Sequence, residues 1–275
     1  MKHKIYIPSK GRPDSCTAKM LKQNNIPFSL VVEDQDYNDY VATWGKGSVI
    51  NLGGNDYGSV GYARAFIKNY STDLGEKCHW QLDDDLPMIY EVIGGKNRKA
   101  IPDEVFKKVE NFYHLYTNIG IIGLSSSAFN KMSAHEYRVN AFAFGCVLIN
   151  NQTPFSYRMD TVEDLDYTLQ CLTSNYCTVR FYKFAFTTVS TGVNKGGYNE
   201  IDSTVDNNVT TRNQRMINTV DLWPGILNEI VYKKHAVAGY DKRIKTNHIW
   251  KNFVHPLKLK ITNTGLWANE ISDTI

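Results

Sequence analysis

Apolar positions recur along this chain in two periods. Ile5 to Ile7, Phe28 to Glu33, Val49 to Leu52, Cys78 to Leu82 and Ile119 to Leu124 are short apolar runs, rich in β-branched and aromatic residues. Their length and their flanking turn residues predict strands. Val139 to Ile149 and Cys177 to Ser190 extend the series. The segments between them predict helices. Asp14 to Asn24 ends before Pro27, and Val60 to Tyr70 has Ser59 as its N-cap. Another helix starts at Pro102, with Asp103 and Glu104 in its first turn and Lys107 and Lys108 further on, as the helix dipole favours. Thr161 to Leu172 reads as a helix capped by Thr161, with Glu163, Asp164 and Asp166 in its first turns. Residues 191–212 are rich in Gly, Asn, Asp and Thr and read as a loop. No internal repeat, coiled coil or low-complexity tract interrupts the pattern.

Strands that alternate with helices predict an α/β fold: a sheet covered by helices on both faces. Ligands of such folds bind beyond the carboxyl ends of the strands. The loops after Ile7, Glu33, Leu52 and Leu82 are therefore expected on one rim. The chain divides into a core over 1–190 and a remainder over 191–275, with one compact domain expected.

Composition narrows the class. With 275 residues, 42% hydrophobic and 21% charged, the chain is an ordinary globular protein. No apolar run is long enough to cross a bilayer, and Met1 to Pro8 lacks the apolar core of a signal peptide. A cytoplasmic protein with no membrane partner is expected. The five cysteines are odd in number and form no Cys-x-x-Cys, which argues against a disulfide framework or zinc knuckle. Cys78-His79 reads as strand rather than as a soft metal site, because no second Cys/His pair lies nearby in sequence. Charge is uneven. Residues 231–260 hold eight Lys or Arg against one acid, Asp241, in a chain of net charge +3. The rest of the chain is therefore net acidic.

The chemistry concentrates at Gln81-Leu82-Asp83-Asp84-Asp85-Leu86. If the strand runs on, Asp83 and Asp85 point the same way and converge on one point. Two hard oxygen donors at the open end of a sheet suit a divalent cation that also bridges a diphosphate. A solvated acidic turn is the competing reading. Pro8-Ser9-Lys10-Gly11-Arg12-Pro13 offers cations for phosphates, or else is a polar turn. Glu33-Asp34-Gln35-Asp36-Tyr37 reads as a loop that could meet a ribose or base, or simply solvent. Gly53 to Arg64 is Gly-rich but lacks Gly-x-Gly-x-x-Gly, so a dinucleotide site is weakly supported. Backbone N–H groups at this helix start suit an anion, and the fork of Arg64 suits a phosphate or sugar hydroxyls. Glu163-Asp164 opens a helix and offers either a cap or a base. Asp164 is the preferred base over Glu163 and Asp166. Lys233, Lys234, Lys242, Arg243, Lys245 and Lys251 are interleaved with Tyr232, Tyr240, Trp250 and Phe253. That mixture describes a nucleic-acid surface or a solvated face over core aromatics. His248 and His255 are further candidate metal ligands.

Taken in order, these motifs resemble a GT-A type glycosyltransferase. Ile7-Pro8-Ser9-Lys10-Gly11-Arg12 resembles the opening nucleotide-binding loop. Gly58-Ser59-Val60-Gly61-Tyr62-Ala63-Arg64 resembles the Gly-x-x-x-Ala-Arg-Asn helix start, with Ala65 departing from the usual Asn. Leu82-Asp83-Asp84-Asp85 resembles Asp-x-Asp, and Glu163-Asp164 the Glu-Asp motif of inverting members. The Ile-Pro-Ser-Lys-Gly-Arg opening and the Gln-Leu-Asp-Asp-Asp strand are most similar to the TET-associated phage glycosyltransferases. These decorate hydroxymethylated pyrimidines in viral DNA, and some transfer arabinose to hydroxymethylcytosine. The resemblance covers about residues 5 to 190. It implies a GT-A mixed sheet with a basic C-terminal, acceptor-side extension. It further implies a UDP-sugar donor, Mn2+ or Mg2+ on Asp83 and Asp85, and DNA carrying 5-hydroxymethylcytosine as acceptor. Pro8, Ser9, Lys10, Arg12, Glu33, Arg64 and Asp84 would serve the donor, with Asp164 as base and Glu163 beside it. Two alternatives stay open: transfer to a polysaccharide or protein, and a binding module without turnover.

Overall fold

The computed structural model describes residues 1–55, 59–128, 135–158, 160–189, 205–231, 242–244, 246 and 249–260. Its centre is a ten-stranded mixed sheet. The strands are β1 (Ile5–Pro8), β2 (Ser29–Val32), β3 (Val49–Asn51), β4 (Cys78–Leu82), β5 (Met88–Ile93), β6 (Lys96–Lys99), β7 (Ile119–Ser126), β8 (Tyr137–Val139), β9 (Cys146–Asn150) and β10 (Cys177–Thr187). A separate ribbon pairs β11 (Glu229–Val231) with β12 (Lys242–Ile244). The helices are α1 (Cys16–Gln23), α2 (Asp34–Trp44), α3 (Val60–Asp73), α4 (Pro102–Leu115), α5 (Glu163–Thr173) and α6 (Val205–Leu222).

The sheet runs β3-β2-β1-β4-β9-β7-β10-β5-β6, with β8 attached to β10. β3, β2, β1 and β4 are mutually parallel, so their carboxyl ends share one rim, as the alternation of elements required. β9 runs antiparallel to both β4 and β7, with Leu82 opposite Cys146. The start of β9 and the ends of β7 and β10 therefore reach that rim as well. Side chains alternate across the sheet with period two. Ile5, Ile7, Leu30, Trp80 and Leu82 join Leu21 of α1 and Phe106 and Val109 of α4. Tyr6 and Val31 face Ala63 and Ile67 of α3, while Val147 and Ile149 face Tyr167 and Cys171 of α5. Helices thus cover both faces.

Several local expectations are corrected. β4 ends at Leu82, and Asp83 to Asp85 lie in a turn rather than on a continuing strand. Strand alternation therefore does not set the directions of Asp83 and Asp85. The polar stretch after Glu33 is helix α2, not a loop, with Glu33 as its N-cap and acids in its first turn. The Val139–Ile149 run is broken into β8 and β9. Gly145 between them has φ +71°, and a Cβ there would meet the Phe186 ring at 2.8 Å. Thr161 does not cap α5: Val162 is the N-cap, and Thr161 Oγ1 donates to the Arg158 carbonyl instead. The β5–β6 hairpin adds two strands beyond those that the apolar pattern predicts. Part of the expected 191–212 loop is α6, and residues 190–204 lie outside the described ones. Ser59 does cap α3, accepting from Gly61 N at 3.1 Å.

The described C-terminal segment returns to the core. Lys258 O accepts from Thr117 N at 2.8 Å, and Lys260 N donates to Leu115 O at 2.8 Å. Ile249 and Trp250 pack with Leu165, Leu169 and Leu172 of α5.

Candidate active site

The rim gathers four of the sequence motifs. In the first loop, Ser9 Oγ donates to Asp84 Oδ2 at 2.5 Å, and Arg12 Nη1 donates to Asp84 Oδ1 at 3.0 Å. Asp84 is 8% exposed, so its carboxylate fixes this loop to the acidic turn. Burial pushes Asp84 up, against the pull of Ser9 and Arg12. Tyr40 of α2, which the sequence reading did not select, sits beneath the loop. Its hydroxyl accepts from Arg12 N at 2.8 Å and lies 2.7 Å from Ser9 Oγ. Lys10 Nζ donates to Glu33 Oε2 at 2.7 Å, and Asn55 Nδ2 to Glu33 Oε1 at 2.9 Å. The loops after β1, β2 and β3 are thus tied together through Glu33. Pro8 is the buried last residue of β1.

Arg64 is the centre of the arrangement. It lies one turn into α3 and is 5% exposed. Nη2 donates to Asp83 Oδ1 at 2.5 Å, and Nη1 to Gln81 Oε1 at 3.0 Å. Nε faces Glu163 Oε1 at 3.4 Å, and the Tyr157 ring lies 6.0 Å from Cζ. Burial opposes the charge of Arg64, but Asp83 and then Glu163 more than offset it and hold its pKa above the ordinary range. A planar fork can meet three separate partners in this way, whereas an ammonium acts as a point charge. Gly61 permits the junction: a Cβ there would stand 3.2 Å from Arg158 O and 3.5 Å from Glu163 Cβ. The start of α3 therefore lies against the start of α5, which brings Glu163 to Arg64 and Asp83.

The three acids of α5 are not equivalent. Asp166 is fully buried, held by Arg158 and by Trp223 Nε1 at 2.8 Å. Those contacts make it structural. Asp164 accepts from Leu165 N at 2.7 Å. Burial, then the charge of Glu163, pushes the Asp164 carboxyl up to about 7.

Among the described residues, Asp85 forms no ion pair. Burial, then Asp83 and Asp84, pushes it up to about 7, and Arg12 opposes this only through space. Among the described residues no group of three His, Cys, Asp or Glu is arranged to hold a metal ion. Asp83 and Asp85 supply the hard oxygen donors that Mg2+ or Mn2+ prefers. Such ions take one or two carboxylates and complete their shell with water and substrate phosphates. His255 is committed elsewhere, with Nε2 2.7 Å from Leu172 O. His248 lies outside the described residues, as do Lys233, Lys234 and Lys245. Lys242 and Arg243 lie on β12, and Lys251 is exposed in the short 3-10 helix Ile249–Asn252. No helix among the described residues is long and apolar enough to cross a membrane.

Comparison with known proteins adds three findings. None of the curated proteins compared matches the chain. Among solved structures, the inositol-1-phosphate CTP transferase from T. maritima is similar over 70% of this chain and 92% of that one, at 12% identity and a TM-score of 0.41. The sequence profile of the TET-associated glycosyltransferases matches residues 3–197, a span that contains both the acidic turn and Glu163-Asp164. By that match the chain belongs to the TET-associated glycosyltransferase family.

Proposed function

We propose that this protein transfers a sugar from a UDP-sugar to the hydroxymethyl group of 5-hydroxymethylcytosine, or a closely related pyrimidine, in DNA. The observation that carries the reading is the junction at Arg64. It joins the acidic turn to the Glu163-Asp164 helix on the rim where the first loop also ends. Family membership supports the reaction class and a modified base as acceptor.

The contacts at the rim support one role for each residue. Asp83 and Asp85 would hold Mn2+ or Mg2+, which supplies charge stabilisation to the departing diphosphate when bound. Arg64 keeps Asp83 and Glu163 in fixed relation, because its guanidinium is buried and engaged on both sides. Ser9 and Arg12, held by Asp84 and Tyr40, shape the loop that receives the donor, with Lys10 and Glu33 alongside. Asp164 takes the proton from the attacking hydroxyl, which corresponds to an inverting transfer. A base whose pKa lies near neutrality is well matched to that task. The 5-hydroxymethyl group points into the major groove, so either a groove approach or base flipping can present it. The cations of the C-terminal segment would meet DNA phosphates.

The test is UDP release. Release should require both a divalent cation and DNA carrying 5-hydroxymethylcytosine, and EDTA should abolish it. Equal release on unmodified DNA, or full release in EDTA, would contradict the proposal.

A further inference from the structure

We propose that Arg180 grips a phosphate of the acceptor DNA strand and thereby sets where the target nucleotide lies against the acidic turn. This rests on the function proposed above and names a contact on the acceptor side of the same site. Arg180 lies on β10 and is partly buried. Its Nη2 donates to Ser125 Oγ at 3.2 Å. Its Cζ lies 5.4 Å from the Phe144 ring centroid and 5.7 Å from that of Tyr182. Nε is buried and has no hydrogen-bond partner.

The neighbours of this guanidinium position it but do not neutralise it. Arg12, Arg64 and Arg158 each meet an aspartate. Among the described residues, no carboxylate pairs with Arg180. Burial pulls its pKa down, and Tyr182 alone opposes that. Two rings and one hydroxyl fix the plane of the cation at the cost of its hydration. A desolvated and oriented cation without a carboxylate is prepared for an incoming anion, and the fork suits phosphate.

The location selects the source of that phosphate. Phe144 directly precedes Gly145, whose carbonyl accepts from Asp83 N at 2.8 Å. The Phe144 ring also lies 6.0 Å from that of Phe186, which borders the same glycine. Arg180 is therefore one aromatic ring removed from the acidic turn. It lies on the β9-β7-β10 side of β4, whereas the loops assigned to the donor follow β1, β2 and β3 on the other side. The donor nucleotide is assigned to the loops on that other side, and its diphosphate already has the acidic turn and the ion that would be held there. The acceptor strand brings a phosphate on each flank of the target base.

The experiment measures steady-state kinetics on duplex oligonucleotides with one 5-hydroxymethylcytosine, alongside direct UDP binding in Mn2+. Arg180→Gln should raise KM for the DNA by about tenfold to a hundredfold, the range for a lost charge-assisted contact. It should leave the UDP Kd unchanged and reduce the salt dependence of DNA binding by about one phosphate. Arg180→Lys should restore part of the loss. A single neutral methylphosphonate beside the target should reproduce the loss with the unaltered enzyme. That DNA should cost the Arg180→Gln variant little more. The methylphosphonate series on the unaltered enzyme also decides the matter if the variant does not fold: one dominant flanking phosphate supports the contact, and uniformly small effects overturn it. An unchanged KM for DNA would overturn the proposal, and a weakened UDP Kd would place the anion on the donor. Absence of any sugar transfer to DNA by the unaltered enzyme would overturn the functional reading and this contact together.

Discussion

At single residues, the site depends on how a few charges are matched. Arg64 bridges Asp83 and Glu163 while bonding Gln81, so Arg64→Lys cannot replace it. That variant should lose activity by about a hundredfold or more. Because Asp83 keeps some solvent, the stability loss on urea unfolding should be only about 1–3 kcal/mol. Replacing both Asp83 and Asp85 by Asn should cost at least about a hundredfold in turnover by removing the direct metal ligands. Normal turnover in that double variant would exclude a metal role for the pair. Asp164 gives the pH dependence. Its carboxyl is pushed up by burial first and by Glu163 next, to about 7. The carboxylate is the form that accepts the proton, so kcat/KM should climb as pH rises through about 7 and level off above it. Asp164→Asn should remove that limb and slow the reaction by about 100- to 10,000-fold. A flat profile through neutrality in the unaltered enzyme would assign the base elsewhere.

At the scale of elements, the parts that were legible in the sequence are those with an apolar period. β1, β2 and β4 are almost wholly buried, and their runs could be read directly. α2 buries only Tyr40 at high completeness, so it shows no apolar stripe and its polar face resembles a loop. β6 is exposed along its whole length and carries no apolar signal at all. The break between β8 and β9 depends on Gly145 under Phe186, a contact between distant segments that no local window contains. The same reason explains what was missed at the site. Asp83, Arg64 and Glu163 were each selected from their motifs, but their meeting at one guanidinium is tertiary. Tyr40 was hidden inside an unread helix. Its value can be measured: Tyr40→Phe removes the acceptor for Arg12 N and the partner of Ser9 Oγ. The variant should unfold about 1–3 kcal/mol more easily and bind UDP more weakly. Unchanged UDP affinity would separate α2 from the donor loop.

At the scale of the whole molecule, the C-terminal part is packed against the catalytic part. Ile249 and Trp250 cover Leu165, Leu169 and Leu172, and Leu227 joins the same cluster. A chain cut after residue 190 would expose that face of α5, the helix whose first turn holds Glu163 and Asp164 on other faces. It should aggregate or unfold at lower denaturant than the full chain, as circular dichroism in urea would show. Equal stability would mean the C-terminal part is dispensable to the fold. The excess of cations in residues 231–260 gives a separate expectation. DNA affinity should fall steeply with salt, and replacing Lys233 and Lys234 by Ala should flatten that slope by about two phosphates. An unchanged slope would remove both lysines from the interface. Mass spectrometry of nucleosides identifies the acceptor. The protein is incubated with Mn2+, a panel of UDP-sugars, and DNA containing either cytosine or 5-hydroxymethylcytosine. A pentose or hexose mass gain is expected on the hydroxymethylated nucleoside alone, whereas no gain with any donor, from a folded protein that binds UDP, would contradict transfer to DNA.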